Sequence, residues 1–269
     1  MERKTIPPRG LEGPNRALLE QLHRGTTGPF TVEEAAALLA LPRGRVRRLL
    51  SYLAGRGWLS RVCRGLYITV PLGARDPAAW LADPWSVANK LFAPCYLGGW
   101  TALQHWELTD QIFRDVVVFT ALEVKRKHRT VQGTTFRLRS LPAEKHFGTR
   151  AVWRDRARLL VSDPARTIVD VLDRPEVGGG IRHVAECLVE FLESRNRDDV
   201  ALVDYADRLG NRTVFKRLGF LVESKGMEAR GLLEACRERM SSGLSPLDPG
   251  VEAAGRIVKR WNLFVNAKV

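Results

Sequence analysis

Six of the seven arginines between residues 43 and 64, Arg43, Arg45, Arg47, Arg48, Arg61 and Arg64, are the side chains of this chain best suited to a definite chemistry. A guanidinium is planar and permanently charged, and its forked donors match phosphate oxygens or the O6/N7 edge of guanine. Scattered arginines are solvated decoration, but arginines gathered on one helix face make a surface for a polyanion. Apolar spacing does the gathering here. Val46, Leu49, Leu50 and Leu53 recur on one helical face, which turns Arg43, Arg45, Arg47, Arg48, Ser51 and Tyr52 outward. Together with Arg61 and Arg64, these are the residues expected to contact DNA.

The elements that position them follow from local signals. Pro42 suits the first turn of a helix that Gly55 and Gly57 stop, and residues 58–62 and 66–70 then read as two short strands around a turn at Cys63, Arg64 and Gly65. A helix followed at once by a hairpin is the second half of a winged helix-turn-helix, with the helix dimensioned for the major groove. Upstream, residues 14–24 form a first helix closed by Gly25. Thr31 with Glu34 three residues later makes a capping box for a second helix, whose apolar face is Val32, Ala35, Ala36 and Leu39. Residues before Pro14 mix charge, Pro and Gly and read as a loose arm.

Charge is distributed in the same sense. The chain of 269 residues carries a net +13, and its first 75 residues hold 13 Lys and Arg against 5 acidic residues. A polyanionic partner, double-stranded DNA, therefore belongs to the N-terminal part. With 45% hydrophobic residues the chain builds a proper core. Cys63, Cys95, Cys187 and Cys236 show no CxxC pair, which favours free thiols in a reducing compartment over disulfides or zinc. The N-terminal sequence lacks the apolar stretch of a signal peptide and no run approaches membrane-spanning length. The expectation is a soluble cytoplasmic protein with no membrane association and no cofactor.

Asp76-Pro77 and Asp83-Pro84 mark the boundary, each a capping aspartate before a helix-starting proline. The fold class expected is α+β, a winged helix-turn-helix over 1–75 followed by a mixed α/β domain over 76–269. In the second part, residues 85–92 and 100–106 read as helices separated by an extended piece, with Trp85, Phe92, Trp100 and Trp106 as core. Residues 116–119 and 135–141 read as strands, and the run Lys125-Arg126-Lys127-His128-Arg129 between them as a basic loop, a solvated feature or a second nucleic-acid contact. Further helices are expected from Asp163-Pro164, over 181–194, 200–209, 213–223 and 229–240, with a short closing strand near the C-terminus. The triple glycine 178–180 lacks the Lys-Ser/Thr of a phosphate loop and reads as a flexible lead into a helix.

Enzymatic chemistry finds little to work with. Asp115 with Glu123-Val-Lys125 is reminiscent of metal-dependent nucleases, where two carboxylates hold a divalent ion and lysine supports the attacking water. An extended strand would hold the two carboxylates roughly 26 Å apart, and no turn signal stands between them. His23, His105, His128, His146 and His183 show neither HxH nor HExxH spacing. The expectation is a non-enzymatic protein without a metal site.

The order of several segments resembles the AbiEi-type antitoxins, transcriptional regulators of phage-defence (type IV) toxin-antitoxin systems. Besides the N-terminal winged helix, these are Tyr96-Leu-Gly-Gly-Trp100-Thr-Ala-Leu103, Asp163-Pro-Ala-Arg166-Thr-Ile-Val-Asp170, Lys216-Arg-Leu-Gly-Phe-Leu-Val-Glu223, and Pro246-Leu-Asp-Pro249 with Trp261 and Asn266. The resemblance implies a repressor of its own operon that binds inverted repeats in its promoter. It also implies a C-terminal domain that neutralises a nucleotidyltransferase toxin of the AbiEii kind. The chain departs from the family pattern at Pro-Ala-Arg166, where Pro-Glu-Lys is common. The alternative is a ligand-sensing winged-helix transcription factor with no toxin partner.

Overall fold

Residues 13–55 fold as the apolar spacing dictates. In the computed structural model, which describes residues 10–269 apart from Leu72, Gly73, Arg75, Pro77, Ala78, Asp155 and Arg156, three helices and a small sheet enclose one core. Helix α1 (Gly13–Gly25), strand β1 (Phe30–Thr31), α2 (Val32–Leu39) and α3 (Arg43–Gly55) are followed by the hairpin β2 (Leu59–Cys63) and β3 (Leu66–Thr69). The sheet runs β1-β3-β2, all antiparallel. Leu22, Ala35, Val46, Leu50 and Leu53 are completely buried at its centre. This is a winged helix-turn-helix. Residues 1–9 of the N-terminal arm and Pro77 of the first Asp-Pro pair lie outside the described residues.

Contacts divide the chain into two compact units, one of residues 1–93 with 129–136 and 152–159, the other of 94–128, 137–151 and 160–269. The first unit thus adds to the winged helix the helix α4 (Pro84–Phe92) and the ends of two hairpins. Asp83 caps α4 by accepting from the Ser86 N–H at 2.8 Å, with Pro84 at the first helical position.

The next six strands form a mixed sheet. They are β4 (Cys95–Leu97), β5 (Val116–Thr120), β6 (His128–Val131), β7 (Thr134–Ser140), β8 (Thr149–Arg154) and β9 (Ala157–Ser162), in the order β6-β7-β5-β4-β9-β8. Every residue of β5 is buried, as its unbroken β-branched run requires. β6 begins at His128, so the basic run expected as a loop ends inside a strand. The turn from β6 to β7 consists of Gln132 and Gly133, both at positive φ, the conformation that joins two strands tightly.

The second unit is organised on α6 (Pro164–Asp173), which is buried from Pro164 through Leu172. Around it pack α5 (Gly99–His105), α7 (Ile181–Glu193), α8 (Asp199–Leu209) and α9 (Thr213–Ser224), with α10 (Arg230–Arg239) against α9. Of the four aromatics expected in the core, Phe92 and Trp100 are buried, whereas Trp85 and Trp106 are half-buried. An indole keeps a polar N–H that must find a partner, and that of Trp106 donates to the Ser162 carbonyl at 2.7 Å.

The C-terminal segment forms a sheet in place of the single closing strand expected. β10 (Ser245–Pro246), β11 (Arg256–Val258) and β12 (Leu263–Val265) pair in the order β10-β12-β11. It is fastened from α9. Trp261 is fully buried over Gly219, where any side chain would collide with its ring, and its N–H donates to Glu223 at 2.7 Å. The buried Arg217 donates to the carbonyls of Leu172, Leu247 and Pro246. Asn266 donates to the carbonyls of Asp248 and Val251, while Asp248 accepts from the Ile181 N–H at 2.9 Å. The glycine run leads into α7 through a turn in which Gly179 and Gly180 have positive φ and the Gly178 and Gly180 N–H groups donate to the Pro175 carbonyl.

Candidate nucleic-acid interface

Helix α3 supplies most of the residues singled out from sequence. Its buried stripe of Val46, Leu49, Leu50 and Leu53 faces the winged-helix core, and Arg43, Arg45, Arg47, Arg48 and Ser51 are exposed between and beside those positions. Tyr52 is half-buried, with the Arg56 guanidinium 5.1 Å from its ring centre. Arg61 and Arg64 are exposed on the hairpin, and Gly65 at φ +82° turns the chain immediately after Arg64.

The helix and the hairpin bound a common open cleft of about 500 Å³. Its lining includes Thr31, Glu33, Arg47, Arg61, Arg64 and Lys90. Four cations against one carboxylate make this a strongly positive concavity. Glu33 also pairs with Arg43, and Lys90 of α4 pairs with Glu34. Among the described residues no carboxylate pairs with Arg45, Arg47, Arg48, Arg61 or Arg64. Those five guanidinium groups meet water, the state in which exchange for a phosphate releases condensed counterions and gains affinity.

The capping box fixes α2 and hence the approach of α3. Glu34 N–H donates to Thr31 Oγ1 at 3.1 Å and the Thr31 N–H donates back to Glu34 at 2.8 Å. Burial alone would raise the Glu34 carboxyl, but the hydrogen bonds from Lys90 and Thr31 outweigh it and hold the group below its ordinary 4.5. Glu34→Ala should lower stability by about 1 kcal/mol at pH 7, the usual worth of such a cap. A group depressed in the folded state stabilises above its unfolded value and loses that contribution as pH falls through the folded one. The two unfolding curves should therefore converge below pH 4.5 and stay apart above it, as urea titrations at each pH will show.

Other residues weighed from sequence are placed elsewhere. Asp115 accepts from Arg137 Nε at 2.8 Å and lies before β5, while the exposed Glu123 follows its far end, so strand β5 separates the two carboxylates. No set of three or more His, Cys, Asp or Glu residues among the described residues is arranged to hold a metal ion. None of the four cysteines is joined in a disulfide. Burial pushes the thiols of Cys95, Cys187 and Cys236 up to about 12, which makes them apolar fillers.

Sequence reasoning missed one cluster. Tyr96 of β4 and Arg166 and Asp170 of α6 are all buried and bonded to one another. Arg166 Nε donates to Asp170 Oδ1 at 2.9 Å, the Tyr96 hydroxyl donates to Asp170 Oδ2 at 3.0 Å, and Arg166 Nη2 donates to the Tyr96 oxygen at 3.0 Å. The guanidinium also lies 4.2 Å from the Phe147 ring centre. The i, i+4 spacing of Arg166 and Asp170 was the available signal, but it looks the same in sequence as an exposed helical pair.

Residues 18–70 match a protein-family model described as transcriptional regulator, AbiEi antitoxin. The match covers α2, α3 and the hairpin whole, along with most of α1, and so contains every arginine of the interface. It supports the AbiEi-type assignment and, with it, a DNA-binding regulator of the antitoxin kind. A comparison with curated proteins returned no match. No helix among the described residues is long and apolar enough to cross a membrane.

Proposed function

We propose, with the AbiEi-type character of residues 18–70 as the premise, that this protein is a non-enzymatic transcriptional autoregulator and antitoxin acting in the cytoplasm. Residues 1–75 are its DNA-binding domain. Arg43, Arg45, Arg47, Arg48, Ser51 and Tyr52 of α3 enter the major groove of inverted repeats in its own promoter. Arg61 and Arg64 hold backbone or minor groove from the wing. The observation that supports this best is the set of exposed arginines on α3 and the wing with which no carboxylate among the described residues pairs. Arg43 is the exception, and its pairing with Glu33 orients it at the helix start.

Residues 76–269 form the antitoxin domain, which counteracts a nucleotidyltransferase toxin of the AbiEii kind. The experiment is co-expression with the neighbouring gene, scored for growth and for complex formation. Rescue of growth by this protein supports the reading. A neighbouring product that is harmless alone removes the toxin and leaves a winged-helix transcription factor.

A further inference from the structure

We propose that the end of the β6–β7 hairpin is a second wing, whose Arg129, the last cation of the basic run, holds a duplex DNA phosphate alongside the first. The inference rests on the DNA-binding reading above and extends it to residues outside the segment the family model matches. A basic run between two strands is ordinarily just solvated. What changes the assessment is where the end of this hairpin is fastened.

Arg129 donates to Cys63 Sγ at 3.9 Å, and Cys63 is the last residue of β2, directly before Arg64 at the tip of the first wing. The same guanidinium lies 5.7 Å from the ring centre of Phe92. Gln132, in the turn, donates to Ser60 Oγ at 3.5 Å and accepts from the Ala82 N–H at 3.0 Å. The hairpin end is therefore pinned to the wing strand by side-chain bonds at two places, and Arg129 brings a further cation up to Arg64. Arg129 remains exposed, and no carboxylate among the described residues pairs with it.

A phosphate contact of this kind adds affinity and lengthens the footprint without reading sequence.

The test is fluorescence anisotropy of the full-length chain on a mixed-sequence 40-base-pair duplex, titrated across potassium chloride. Each phosphate contact contributes about 0.9 to the log-log slope. Arg129→Gln should make the slope shallower by about 0.9. Arg129→Lys, which keeps the charge, should retain the wild-type slope and so separates charge from packing. An unchanged slope in the Arg129→Gln variant, with Arg45→Ala/Arg48→Ala still reducing the slope, overturns the second wing and leaves the recognition helix standing. A slope that Arg45→Ala/Arg48→Ala does not alter overturns the premise instead.

Discussion

Replacing Arg45 and Arg48 together with alanine is expected to weaken binding to the duplex upstream of the protein's own gene by at least about thirtyfold, with thermal unfolding unchanged. Both side chains are exposed and without a carboxylate partner among the described residues, so their loss breaks no ion pair described in the fold. Alanine is the strongest helix former, and the buried stripe of Val46, Leu49, Leu50 and Leu53 that fastens α3 is untouched. A well-placed arginine at a base edge contributes about 1–3 kcal/mol, so two account for about 2–6 kcal/mol, or roughly thirtyfold upward. Arg43→Ala should cost less, because Arg43 already shares its charge with Glu33. A gel shift with the promoter fragment measures this, and unchanged affinity would remove α3 from the interface.

Asp170→Ala should be the most damaging single change in the second unit, costing about 3–5 kcal/mol. Removing the carboxylate leaves Arg166, fully buried on the central helix, with no counterion and leaves the Tyr96 hydroxyl without its acceptor. Total stability of a domain is about 5–15 kcal/mol, so a loss of this size approaches unfolding. Arg166→Met combined with Asp170→Leu removes both charges at similar volume and should recover most of it, since an apolar replacement of a buried pair is often neutral or better. Guanidinium unfolding midpoints for the three proteins decide the matter. An Asp170→Ala protein within about 1 kcal/mol of wild type would mean that water or relaxation satisfies Arg166, against the bonding described.

What could be read in the sequence was what local chemistry determines. The Thr31–Glu34 capping box, the α3 stripe, the hairpin at Gly65 and the Asp-Pro starts of α4 and α6 are all decided within four or five residues, and each appears in the structure. What escaped depends on partners far apart in the chain. Arg166 and Asp170 look like an ordinary i, i+4 surface pair until β4 delivers Tyr96, 70 or more residues earlier, onto them. The segments that carried the family likeness beyond the winged helix prove largely to be fasteners. Arg217, Asp248, Trp261 and Asn266 bind one another's neighbourhoods into a closed C-terminal sheet, and only three-dimensional contact reveals that role. The α3 arginines were legible as exposed because exposure follows helical period, while the cleft that Arg47 shares with Lys90 was not, since Lys90 belongs to a separate helix well beyond the wing.

The central claim is electrostatic, that guanidinium groups on α3 and its wing replace counterions on a duplex, and the salt dependence of wild-type binding to the promoter fragment tests it most directly. If about five phosphates are neutralised, log Kobs should fall against log salt with a slope of about −4.5, and Arg45→Ala/Arg48→Ala should make it shallower. A slope near zero, identical in the variant, would contradict the account.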